Sequence, residues 1–448
     1  METKLEKNVW ILTIPIFIEL AFFILMGSVD TLMISFYEKI TPSAVGSVAA
    51  VGNASTVINL FGVLLNVVAT GIGVVVSQYL GAKKQKEAKE TISSGILMQV
   101  FVGLFISLLL IFLGNLLFIV IETPVEIRTL SYDYLFYTAI SLIFVSIGNA
   151  ISAGLRSFGH AKKVMYTVIF ANLGNVFFNY MFIFGRFGVN EMGVAGSAIS
   201  TLIMRFIQLL ILMFLLKRLI GVKSLKPTYN QEHSKKILHI GIPSALENMT
   251  YNLMQFVVLS FINKLGTQVI SARTFVNTIM SYIFLFSGAF ASGNAIVTGY
   301  YIGEGDYQGA YKNTLKTVLS TSVIVLVIVT VINLLSYQIA SLLTEDKVVI
   351  QTIRNVLWVC FLLEIGRVLN LVVIQSLRAT GDTLFPLIMA VISMLGLGIP
   401  FAYLFSNTLG LGLVGIYLGY SVDEMFRGII MTVRWLKKSW MNRSLVEG

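Results

Sequence analysis

Apolar runs long enough to cross a bilayer recur from one end of the chain to the other, parted by short polar stretches. A spanning helix needs about 20 predominantly apolar residues. The pattern predicts twelve such helices, near 9–36, 45–76, 92–121, 131–153, 164–184, 193–216, 237–263, 268–298, 315–343, 353–376, 384–405 and 412–434. Short alternating segments of the kind that build outer-membrane barrels do not occur, so the expected fold is an all-α polytopic membrane protein. Within the first run, from Val9 to Phe36, the only ionisable residues are Glu19 and Asp30. A charge at the centre of a membrane helix costs about 2.5–3.5 kcal/mol on insertion scales, so Asp30 needs a partner, a water-filled cavity or a proton.

Composition sharpens this picture. The 448 residues are 56% hydrophobic and 12% charged, about half the charged share of a soluble domain. The net charge of +10 could suggest nucleic acid, but its distribution argues for topology instead. Counting residues at span margins, 22 of the 32 Lys and Arg lie at the termini and in even-numbered loops, against 6 in odd-numbered loops. The positive-inside rule then puts both termini in the cytoplasm, together with the basic stretch 217–236, and no nucleic-acid partner is expected. The N-terminal run is longer than a signal-peptide core and lacks a small-residue cleavage site, so it reads as a retained first helix. The single cysteine, Cys360, excludes a disulfide framework.

The chain also repeats itself. "QYLGAKKQKEA" (78–88) aligns with "YYIGEGDYQGA" (300–310), and "LRSFG" (155–159) with "LRATG" (377–381), both at a shift of 222 residues. The same shift carries Arg205 onto Arg427, while "IPIFIE" (14–19) matches "IPSALE" (242–247) at a shift of 228. Two halves that each start inside are parallel repeats about an axis along the membrane normal. The expected organisation is an N-terminal six-helix lobe over 1–216, a cytoplasmic basic linker over 217–236 and a C-terminal six-helix lobe over 237–448, around a central cleft. That is a transporter architecture.

Several stretches carry a specific resemblance. "LRSFGHAKKVMYTVIFANLGNVFFNYMFIFG", "MGVAGSAIST", "LRATGDTLFPL", "GLGLVGIYLGY", "IPSALEN" and "GSVDT" together resemble the multidrug and toxic compound extrusion (MATE) family over nearly the whole chain. The resemblance implies a secondary antiporter in the plasma membrane that exports organic cations or other amphipathic compounds in exchange for H⁺ or Na⁺. It implies no cofactor beyond the coupling ion. Relatives that bind a cation in the N-terminal lobe use a first-helix Asp, two fifth-helix polar residues and a sixth-helix Thr. The matching residues here are Asp30, Asn175, Asn179 and Thr201. Asn179 stands where many relatives have Asp, which removes one negative charge from a Na⁺ site. The resemblance also makes Pro15 the candidate kink of helix 1. Depth agrees independently: at 1.5 Å per residue, Asp30 is about 32 Å along its helix, and Asn175, Asn179 and Thr201 can share its depth band.

A second constellation lies in the other half. Glu247, Glu364 and Asp423, with Glu424, each fall near the middle of their spans. Arg367 follows Glu364 by three residues and Arg427 follows Asp423 by four, so each can meet its acid along the helix. Glu247 has no basic residue within a turn. These acids are candidates for ion coupling or substrate binding, and a Na⁺ ion is conceivable at Asp30 or at Glu247. A lone, partly desolvated Asp30 suits a proton carrier, which favours H⁺ over Na⁺ at the first lobe, whereas two carboxylates in the second half could still supply a Na⁺ site.

Rival functions are weaker. "GEGD" (303–306) and Tyr132–Asp133 match strings of intramembrane aspartyl proteases, but they fall at opposite faces of the membrane. No HExxH or P-loop occurs, so no enzyme is expected. A lipid-linked saccharide flippase of the same wider superfamily would favour a cationic cavity, whereas the spans, with residues at their margins set aside, hold six acids against four arginines. An ion channel would more often be an oligomer around a symmetric pore. A monomer in the bilayer handling small amphipathic or cationic molecules is the expected assembly.

Overall fold

A computed structural model describes residues 7–221 and 229–446, and among these every regular element is a helix. The elements are α1 (Val9–Ile40), α2 (Ser47–Gly81), α3 (Gln85–Val120), α4 (Val125–Ser157), α5 (Ala161–Ile183), α6 (Gly193–Leu215), α7 (Gln231–Asn263), α8 (Thr267–Gly303), α9 (Tyr307–Leu334), the short α10 (Ser336–Leu343), α11 (Lys347–Thr380), α12 (Leu384–Thr408) and α13 (Gly412–Leu436). Apart from α10, these are the twelve spans of an all-α polytopic membrane protein. Ten of them are long and apolar enough to cross a bilayer by that measure alone. The two that are not, α7 and α13, hold the polar run around Glu247 and the Asp423–Glu424–Arg427 group.

Two differences from the apolar pattern have physical causes. The helices begin earlier than the apolar runs, as at Gln85 and Lys347, because a polar first turn still propagates the hydrogen-bonded ladder into water. The run expected over 315–343 breaks at Leu335, where α9 ends and α10 starts with Ser336 buried. Of the basic stretch 217–236, a π-helical turn over Leu216–Ile220 extends α6, and α7 takes up the chain from Gln231. Residues 222–228 of that stretch lie outside the described residues.

The chain divides into two compact units. Unit one comprises 18–76, 84–221 and 229–241; unit two comprises 7–17, 77–83 and the chain from Ile242. In unit one, α4 packs against α3 and α6, and α5 packs on α6. Its core gathers Ile34, Leu65, Ile106, Leu110, Leu135 and Ile183. In unit two, α11 lies between α8 and α13, over a core that includes Val258, Val276, Ile353, Leu357 and Ile416. The α11–α13 contact is close because both helices present glycine. A Cβ on Gly366 would sit 2.6 Å from the Met425 nitrogen, and one on Gly428 would sit 2.8 Å from the Gly366 oxygen. Small residues of this kind let membrane helices approach where lipid supplies no hydrophobic drive.

Contacts explain why short N-terminal pieces belong to unit two. Lys7 Nζ lies 2.5 Å from Glu304 and 4.5 Å from the centre of the Tyr301 ring. Trp10 meets Phe290 edge-on at 4.9 Å. Gln78 donates to the Ala379 carbonyl at 2.7 Å and accepts from the Leu445 amide at 3.0 Å. At the start of α11, Asp346 caps the helix. Its carboxyl is held below the usual range by the Gln268 amide first, then by the Val348 and Val349 N–H groups.

Candidate ion-coupling sites

Unit one brings Asp30, Asn175, Asn179 and Thr201 together from three helices. Asn175 and Asn179 are four residues apart on α5, so one face carries both amides. Asn179, fully buried, donates through Nδ2 to Asp30 Oδ1 at 2.6 Å. The terminal amide of Asn175 lies 2.9 Å from the same oxygen and 3.3 Å from Thr201 Oγ1. With its nitrogen towards Asp30, Asn175 donates to the carboxylate, while its oxygen accepts from the Thr201 hydroxyl and backbone N–H. With its oxygen towards Asp30, two acceptors would face each other unless the carboxyl carries a proton to donate. With the Asn175 nitrogen towards it, the Asp30 carboxylate is met by two amide donors. Asn179 Oδ1 is buried beside it with no hydrogen-bond partner, an acceptor open to a donor or a cation.

Around this cluster stand Arg205, one turn beyond Thr201 on α6, and Tyr134 on α4, both within electrostatic reach of Asp30. An open groove of about 400 Å³ also lies beside α1 and α5. Its walls include Val29, Met33, Phe36, Tyr180 and Phe184. Glu19, on the same helix as Asp30, does not join the cluster. It forms an ion pair with Arg156 of α4.

Unit two assembles the second constellation. Arg367 pairs with Glu364, and its Nε lies 3.9 Å from Glu424. Arg427 grips Asp423 with Nη2 at 2.6 Å and Nε at 3.1 Å, and reaches Glu424 at 3.2 Å. Ser393 donates to Asp423 at 2.6 Å and Asn370 to Glu424 at 2.7 Å. Three carboxylates thus face two guanidinium groups, and Glu364 Oε2 has no hydrogen-bond partner although the residue is fully buried. Glu247 is absent from this group of contacts. Arg378 of α11 pairs with it at 2.5 Å, a partner invisible from the helix that carries the acid. The repeat carries the signal for it: Glu19 and Glu247 are repeat-related, and so are Arg156 and Arg378. The same ion pair is built in each unit.

The family model MatE matches residues 15–181 and 243–404, two segments that begin at the repeat-related Pro15 and Pro243. The chain belongs to the MATE family. Over 437 residues it is 36% identical to the uncharacterized transporter YisQ of Bacillus subtilis, an alignment covering 97% of this chain and 95% of that one. It is 24% identical to a probable multidrug resistance protein NorM of Thermotoga maritima, over 99% of this chain and 95% of the other. Among solved structures, an outward-facing multidrug resistance MATE transporter superposes with a TM-score of 0.87 at 20% identity, covering 99% of both chains. A MOP-superfamily transporter from Pyrococcus furiosus does so with a TM-score of 0.86 at 19% identity over 98% of both. This MATE chain is accordingly a multi-pass membrane transporter.

Proposed function

We propose that this MATE protein is a secondary antiporter that exports organic cations or other amphipathic compounds across the plasma membrane in exchange for protons, with Asp30 as the proton carrier. The single observation that carries this reading is the Asp30 cluster. One carboxylate receives amide N–H groups from Asn179 at 2.6 Å and from Asn175 at 2.9 Å. A carboxylate withdrawn from water loses hydration in its charged form, and a proton removes that loss without needing a coordination shell. A Na⁺ site at Asp30 would have one formal charge, with the amide oxygens of Asn175 and Asn179 and the Thr201 hydroxyl as its neutral donors. Export is supported by the multidrug resistance names of several relatives, including one in Vibrio cholerae that is 27% identical over 92% of each chain. The preferred substrate sign is supported by the acidic surplus of the spans. In this reading the protein is a monomer with both termini in the cytoplasm.

A second reading has its own support. The three-acid, two-arginine cluster of unit two carries a surplus negative charge and an unpartnered Glu364 oxygen, and would suit a second coupling site for H⁺ or Na⁺. The two readings separate by proton release. Purified protein in weakly buffered detergent, titrated with ethidium, should acidify the solution as substrate displaces the Asp30 proton. Asp30→Asn should abolish that release, and Glu364→Gln should leave it. Release that persists in Asp30→Asn and disappears in Glu364→Gln would move coupling to unit two and end the first reading.

A further inference from the structure

Past Ile24, α1 presents three faces. Met26, Ile34 and Tyr37 are buried, and at about 100° per residue Asp30 falls on that same face. Ser28, Thr31, Ser35 and Lys39 recur at helical spacing and are exposed, a polar stripe suited to water. Leu25, Leu32, Phe36 and Ile40 form a third stripe, exposed and wholly apolar. In a chain that spans the bilayer, an exposed apolar stripe set apart from a polar one faces lipid.

The open groove beside α1 and α5 runs along this third stripe. On one wall α1 supplies Val29, Leu32, Phe36 and Ile40. On the other, α5 supplies Tyr180, and Phe184 follows at its end. The Tyr180 and Phe184 rings lie 5.9 Å apart, with Phe36 6.0 Å from Phe184. From Val29 to Ile40 is about 16 Å at 1.5 Å per residue, close to the half-thickness of about 15 Å of a bilayer's hydrocarbon core. The groove is one leaflet long. Arg186 lines it at the end where α1 and α5 both run out. Among the described residues the Arg186 guanidinium has no ion pair or hydrogen bond. The acids at this end of α1 and in the segment joining α5 to α6 are engaged elsewhere. Glu38 accepts from the Gly46 and Val48 amides at 3.0 and 2.8 Å, and Glu191 from the Tyr37 hydroxyl at 2.8 Å.

We propose that this groove binds an anionic phospholipid, with one acyl chain lying between α1 and α5 and the phosphate meeting Arg186. The length of the groove fits a chain, its aromatic wall fits the edge of the hydrocarbon, and the unpaired guanidinium stands where a headgroup would be. Arginine presents a planar fork that takes two phosphate oxygens at once, so a lipid phosphate supplies the partner that Arg186 lacks. A cationic amphiphile would meet Arg186 with like charge, and a zwitterionic lipid brings its own ammonium to compete for the phosphate. Val29 and Met33, which bracket Asp30 along α1, both line the groove. The bound chain thus braces the part of α1 that carries the carboxylate. This site goes beyond the transport reading and does not depend on which ion is coupled.

The test is lipid retention, read by native mass spectrometry on detergent-solubilised protein given equal amounts of dioleoylphosphatidylglycerol and dioleoylphosphatidylcholine. Wild type, Arg186→Gln, Arg186→Lys and Leu32→Trp are compared. Arg186 is exposed and Leu32 is 67% exposed, so these substitutions leave the core packing alone. Wild type and Arg186→Lys should retain phosphatidylglycerol in preference to phosphatidylcholine. Arg186→Gln should weaken phosphatidylglycerol binding about fivefold, the size of one basic residue's attraction to an anionic lipid surface. Leu32→Trp, whose indole fills the groove, should lose the bound lipid with the guanidinium still in place. Added phosphatidylglycerol should also raise the thermal midpoint of wild type and not that of Leu32→Trp. Equal retention of the two lipids by wild type would overturn the proposal, as would unaltered phosphatidylglycerol retention in either Arg186→Gln or Leu32→Trp. A wild type stabilised by ethidium and not by phosphatidylglycerol, with the effect lost in Leu32→Trp, would give the groove to substrate and overturn it too.

Discussion

Most acids withdrawn from water here have been given a guanidinium partner, and Asp30 has been given amides instead. Taking a charge out of water costs several kcal/mol even after relaxation, and an ion pair repays this only with good geometry. The Glu19–Arg156 and Glu247–Arg378 pairs set a guanidinium against each of these acids with repeat-related residues, so their first role is to make burial tolerable. This yields a prediction at the residue scale. Arg378→Met leaves Glu247 unpaired in a site where the two side chains are 8% and 13% exposed, and should destabilise the protein by about 3 kcal/mol. Adding Glu247→Gln should recover most of that loss. Thermal unfolding of the detergent-solubilised protein checks the pair, and equal losses with and without Glu247→Gln would show that the two residues are not coupled. The Glu247–Arg378 pair was not legible from sequence spacing because its partners lie 131 residues apart. The partners of Glu364 and Asp423 were legible because they lie three and four residues away, on one helix face.

At the scale of elements, the two interior prolines mark places where a helix changes company. Pro15 lies just before the point where α1 passes from unit two to unit one, and Pro243 just after α7 passes from unit one to unit two. Proline removes the N–H that would bond four residues back and its ring crowds that carbonyl, so each helix is weakened where two bodies share it. Pro15→Ala should restore the missing bond and raise the thermal midpoint. It should also slow substrate efflux, because a stiffer α1 links Lys7–Phe17 more rigidly to the segment that carries Asp30. Paired melting and efflux assays measure both effects, and unchanged efflux in the stiffened variant would remove α1 bending from the mechanism. Span number and order could be read from hydropathy, since each helix buries only part of its surface in protein and shows the rest to lipid. The break at Leu335 could not, because α10 keeps the apolar character of α9 and only the buried Ser336 marks the turn.

At the scale of the whole molecule, one half of the chain has been written twice and then edited differently. The repeat preserves the prolines, the Glu–Arg pairs and the arginines at 205 and 427, while Thr201 replaces the carboxylate that stands at Asp423. The edit leaves unit one with a single acid among amides and unit two with a nearly balanced ionic cluster. The convergence of Asp30 with Asn175, Asn179 and Thr201 was legible from helix depth and family resemblance together. The orientation of the Asn175 amide and the nearness of Arg205 were not, because they depend on how α1, α4, α5 and α6 rotate about their axes. The central claim is that Asp30 carries the coupling proton, and efflux of ethidium from proteoliposomes with H⁺ and Na⁺ gradients imposed separately tests it most directly. Collapsing the pH gradient should stop efflux in wild type, and Asp30→Asn should no longer respond to that gradient. Efflux that continues without a pH gradient but requires Na⁺ would contradict the account.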